Sequence, residues 1–134
     1  VTVEFAGTVL ARTRRAVRVL ETSHPPTFYL PPDDVSLDHL HLSGGAGSVC
    51  EWKGAATYYD VSAGGRIAER SAWTYLHPTP AFEAIAGYVS FYPSAFECSV
   101  GGEVVQAQPG GFYGGWVTSD VVGPFKGGPG SWNW

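Results

Sequence analysis

The chain has 134 residues, 44% of them hydrophobic and 14% aromatic, enough for a domain-sized core that does not depend on disulfides. Its net charge of −4 argues against a nucleic-acid-binding surface, and no apolar run is long enough to span a membrane as a helix. The 18 glycines and 10 prolines favour many tight turns and short elements over long helices.

Val1 to Phe5 alternates apolar and polar residues, as a half-buried strand does. Val9 to Arg12 and Ala16 to Glu21 read as two more strands around a turn at Thr13-Arg14-Arg15. Val17 and Val19 would face inward there and Arg18 outward. The cluster Arg12, Arg14, Arg15 and Arg18 reads as the solvent side of that strand pair, with phosphate binding the lesser alternative. Thr27 to Leu30 is a strand stopped by Pro31 and Pro32. Pro32 can open a short helix with Asp33 and Asp34 in its first turn, and Ser36 to Leu40 a second helical turn.

Cys50-Glu51-Trp52-Lys53-Gly54 gathers a thiol, a carboxylate, an indole and an amine into one turn. It feeds a strand from Ala55 to Val61 that carries Tyr58 and Tyr59 on opposite faces. A hairpin over Ala63-Gly64-Gly65 leads to a strand from Arg66 to Tyr75. Thr79 is placed to cap a helix from Pro80 to Ala86, ended by Gly87. Tyr88 to Tyr92 is the next strand. Phe96 to Val100 and Glu103 to Gln106 form a hairpin over Gly101-Gly102. The expected fold is mainly β, two packed antiparallel sheets with one or two short helices, in one domain spanning 1–134. Residues 1–107 form its β-rich core. Residues 108–134 are rich in glycine and hold three of the five tryptophans, so they are expected to wrap onto that core.

Several stretches together resemble a known family. They are Tyr29-Leu30-Pro31-Pro32-Asp33-Asp34-Val35, Cys50 to Tyr59, Ala72-Trp73-Thr74-Tyr75 and Gly87 to Tyr92. Gln108 to Trp116 and Gly123 to Gly130 complete the set. In this order they resemble the bacterial domain of unknown function family 427. The resemblance implies a β-tent fold, two antiparallel sheets leaning together, and carries no settled activity. An old family label speaks of nucleotidyl transfer, but no motif here supports it. Many β-tent proteins bind zinc through two Cys-x-x-Cys knuckles. This chain has two cysteines and no knuckle, so no metal and no cofactor is expected.

Three functional readings follow. In the first, Trp52, Tyr58, Trp73, Tyr75, His77 and Tyr92 line an aromatic pocket for a small molecule. Trp73, Tyr75 and His77 would share one strand face, as would Tyr88, Ser90 and Tyr92. The bland alternative makes the same rows core, with polar tips reaching a partner. In the second reading, Cys50 is a thiolate nucleophile with Lys53 nearby to lower its pKa. Against it, Cys50 reads as a small buried corner residue and Lys53 as a solvated edge charge. In the third, the tail mediates oligomerisation or structure. Cys98 reads as core. No basic-apolar-small leader pattern opens the sequence, and the two thiols fit a cytoplasmic location. The ligand, the presence of catalysis and the oligomeric state are left open.

Overall fold

The computed structural model describes residues 1–20, 24–44, 53–108 and 114–119, together with the backbone of 48–50. Among these residues thirteen short strands appear. They are β1 (Thr2–Phe5), β2 (Thr8–Arg12), β3 (Val17–Val19), β4 (Thr27–Tyr29), β5 (Leu40–Leu42), β6 (Ser48–Cys50) and β7 (Gly54–Ala63). There follow β8 (Arg66–Thr74), β9 (Val89–Phe91), β10 (Glu97–Val100), β11 (Glu103–Val104), β12 (Gln106–Ala107) and β13 (Trp116–Val117). The fold is mainly β, and every pairing is antiparallel.

One sheet has the order β11-β10-β1-β2, and the other β5-β7-β8-β9 with β6 also on β7. Two ribbons, β3–β4 and β12–β13, complete the described strands. The two sheets pack face to face. Val3, Phe5, Leu10 and Cys98 of the first meet Val61, Ala72, Val89 and Phe91 of the second in one buried cluster. The opposite face of the second sheet is covered too. Val19 and Tyr29 from the β3–β4 ribbon and Ile85 cover Ala56, Trp73 and Tyr75 there. Coverage on both faces explains why Ser71 to Tyr75 and Val89 to Phe91 are buried without alternation.

The expected helices are different in kind. Pro32–Asp34, Leu37–His39 and Pro80–Ile85 are 3₁₀ segments, and the last is broken at Phe82 (φ −118°, ψ 19°). Thr79 makes no side-chain cap; its backbone carbonyl accepts from the Phe82 amide at 2.9 Å instead. Six residues behind a proline gain too few intrahelical bonds to offset α-helix nucleation. The expected pairing of β2 with β3 also fails. β2 pairs with β1, and β3 with β4. Thr13 between them is buried, because its hydroxyl donates to Asp34 at 2.6 Å. That bond, followed by the Arg15 guanidinium at 3.1 Å, holds the Asp34 carboxyl below the usual carboxylate range. Arg15 is thus engaged in an ion pair, while Arg12, Arg14 and Arg18 are exposed.

The tail expectation falls partly outside the described residues, including Phe112, Tyr113, Phe125, Trp132 and Trp134. Residues 114–119 are described, and Trp116 is fully buried in the inter-sheet cluster. No helix among the described residues is long and apolar enough to cross a membrane.

Candidate functional site

Along β8 the alternation is interrupted by three consecutive polar residues. Tyr59 pairs with Ala72 and Val61 with Ala68, so Asp60 alone stands opposite Glu69, Arg70 and Ser71. This bulge places two extra residues in β8 and keeps the faces of the flanking residues in phase. Arg70 sits at its apex with φ +47°, a conformation unfavourable for a residue with a Cβ. Three bonds hold the bulge. The Arg70 amide donates to Asp60 Oδ1 at 2.8 Å, Ser71 Oγ donates to the Ala68 carbonyl at 2.8 Å, and the Tyr92 amide donates to the Ser71 carbonyl at 2.9 Å.

The distortion turns the Arg70 guanidinium over the ring of Tyr58, 4.3 Å from its centroid. Tyr58, Glu69, Arg70, Ser71, Tyr92, Ser94 and Ala95 line a groove of about 350 Å³. The Tyr92 phenol is pushed up to about 12, first by burial and then by the charge and hydrogen bond of Tyr58, with Arg70 acting the other way. Tyr92 therefore presents a hydroxyl, not a phenolate, at neutral pH.

The floor is aromatic. Tyr92 packs on Trp73 at 4.6 Å between centroids, and Trp73 meets Tyr29 edge-on at 6.4 Å. Tyr29 in turn meets Tyr75 at 6.3 Å. Ser90 lies opposite Trp73 in the ladder, and its buried hydroxyl has no hydrogen-bond partner among the described residues. A Cβ at Gly114 would collide with the Trp73 indole, so the tail backbone is pressed directly onto that ring.

The residues singled out from sequence separate into groups. Tyr58 and Tyr92 line the groove. Trp73 and Tyr75, 7% and 6% exposed, belong to the buried cluster and do not line the groove. Lys53 is buried at the far end of the aromatic row, 5.9 Å from the Tyr75 centroid and 6.0 Å from that of Phe82, not a solvated edge charge. Its burial follows from the turn: the Lys53 carbonyl accepts from the Thr79 amide at 2.9 Å, and Gly54 (φ +110°) lies against the His77 carbonyl. His77 is exposed and does not line the groove. Trp52 lies outside the described residues, as does the side chain of Cys50, whose backbone pairs with Gly54. Cys98 is buried, and burial pushes its thiol up to about 12. Among the described residues no three His, Cys, Asp or Glu side chains gather as metal ligands.

Sequence reasoning missed Arg70, Glu69, Ser71 and Ser94. One signal was present: Glu69-Arg70-Ser71 puts three polar residues in a row between the apolar pairs Ile67-Ala68 and Ala72-Trp73. The molecule is thus a mainly β protein whose second sheet carries an arginine–tyrosine groove at a bulge. The chain belongs to the domain of unknown function family DUF427, whose profile matches residues 1–105. A search among curated proteins finds no match.

Proposed function

We propose that the protein binds a small molecule in the groove between Tyr58, Arg70 and Tyr92. The observation that carries this reading is the bulge. A non-glycine residue at φ +47° in the middle of a strand costs stability, and three hydrogen bonds are spent in holding it. What that arrangement yields is a cation fixed over an aromatic ring at the wall of a groove. Its size of about 350 Å³ falls within the range of small-ligand sites. Two tyrosines beside charged and hydroxyl-bearing side chains give it both apolar surface and placed polar groups.

Amide-resolved NMR with a library of small fragments tests the reading. Binders are expected to shift the amides of Tyr58, Glu69, Arg70, Ser71 and Tyr92 together. A library that leaves these amides unmoved, or moves only others, overturns it. Native mass spectrometry of freshly purified protein gives an independent check by weighing any small molecule that co-purifies.

A further inference from the structure

We propose that the groove selects a ring-bearing monocarboxylate, with the Arg70 guanidinium as its anchor; this rests on the small-molecule reading of the same groove. Arginine offers five N–H donors in a planar fork that matches the two oxygens of a carboxylate. Its position is set before any ligand arrives, by the bulge backbone, by the Tyr58 ring beneath it and by a bond from one guanidinium N–H to the Gly44 carbonyl at 3.5 Å. A pre-positioned side chain loses less freedom on binding. The ring of the ligand would lie along the Tyr58 and Tyr92 side chains, and Ser71 and Ser94 belong to the same lining.

The charge balance narrows the class. Two carboxylates flank the one cation. Glu69 lines the groove, and Asp60 binds the Arg70 amide. Their combined field gives no long-range attraction for a polyanion, so an anion must be held by short-range pairing with Arg70 alone. Repulsion from Glu69 and Asp60 rises with each added negative charge on the ligand. A singly charged carboxylate is therefore favoured over a phosphate monoester dianion. Tyr92 supplies a hydroxyl without adding another negative charge, since it stays protonated.

The test compares four ring compounds of similar size by NMR titration of the groove amides: benzoate, phenyl phosphate, benzyl alcohol and benzylamine. Benzoate is expected to bind about tenfold or more tighter than the other three, the scale of one charged hydrogen-bonded pair. Arg70→Gly is the matching variant, because glycine accepts φ +47° and leaves the bulge backbone in place. It is expected to bind benzoate no more tightly than benzyl alcohol. Equal or tighter binding of benzyl alcohol, benzylamine or phenyl phosphate overturns the carboxylate assignment and leaves the groove a small-molecule site. A benzoate preference that survives Arg70→Gly overturns the role of Arg70. Failure of all four compounds to move the groove amides, with fragments of other chemistry moving them, also overturns the assignment. If no fragment of any kind moves them, the small-molecule reading itself falls.

Discussion

Burial changes the chemistry of single side chains in this protein, and Cys98 is the clearest case. It faces the inter-sheet core beside Val3 and Phe96, where a thiolate would be poorly solvated. Its pKa is raised to about 12 in the folded chain, against an ordinary value of 9.0. The unfolded chain therefore loses this proton first as pH rises, and unfolding releases a proton between these two values. The stability contributed by the neutral thiol is complete below pH 9 and is lost progressively toward pH 12. The loss should be on the order of 1 kcal/mol by pH 10. Tyr92, also raised, adds its own loss in the same direction only above its ordinary value of 10.0, so the interval from pH 9 to 10 reports mainly on Cys98. Denaturant unfolding across that interval should show a shallower decline in Cys98→Ala than in the unmodified chain. Parallel slopes would mean that Cys98 ionises as readily in the folded state as in the unfolded one. At this scale the core role of Cys98 was legible from its strand neighbours. Arg70 was not, because its importance comes from a backbone angle that no residue type announces.

Elements in this fold are decided by their turns. Three hairpins close through two-residue loops in which both residues have positive φ: Ala6-Gly7, Gly64-Gly65 and Gly101-Gly102. Such loops match the right-handed twist of the strands they join. The Gly-Gly pairs made two hairpins readable in advance, and the turn after Phe5 was marked by Gly7 alone. The segment at Pro80 was misread because Thr79-Pro80 and Gly87 look like helix boundaries, whereas Thr79 makes no side-chain cap and the segment between is only a short 3₁₀ stretch. The bulge in β8 was marked only by the polar run Glu69-Arg70-Ser71, which fits a solvent-facing stretch of strand equally well. One turn also joins the two sheets. A Cβ at Gly64 (φ +57°) would stand 3.0 Å from both the Cβ and the carbonyl oxygen of Ala6, whereas one at Gly65 (φ +77°) would meet nothing within 4 Å. Gly65→Ala should therefore cost only the left-handed backbone term, about 1 kcal/mol. Gly64→Ala adds overpacking between the two turns and should cost about 2 kcal/mol or more. Urea denaturation of both variants checks this. Equal losses would show that the turns of the two sheets give way freely and do not brace each other.

The molecule's core extends beyond the stretch that defines its family. The DUF427 profile matches residues 1–105, yet Trp116 lies fully buried between the sheets. Its ring stacks on Phe28 at 4.9 Å and an angle of 21°, and its indole N–H donates to the Phe91 carbonyl at 3.0 Å. Its own amide donates to the Pro26 carbonyl at 2.8 Å. The strand it begins, β13, pairs with β12, and the adjoining Gly115 is so close to Pro25 and the Gln108 amide that a side chain there would clash with both. A glycine-rich composition suggests a linker, but linkers are not spaced by large aromatics, and exposing each would be unfavourable by roughly 1.5–3 kcal/mol relative to burial. Trp116→Ala should cost about 3–5 kcal/mol, the scale for deleting a fully buried tryptophan. In a domain of this size that lowers the melting temperature by about 10 °C or more. Ending the chain after Gln108 removes the same plug together with β13 and uncovers Trp73, so it should melt still lower or remain insoluble. A shortened chain that melts with the full one would place Trp116 outside the cooperative core. Its stacking on Phe28 would then be an ornament of the fold, and the two sheets would have to be held by the matched 1–105 stretch alone.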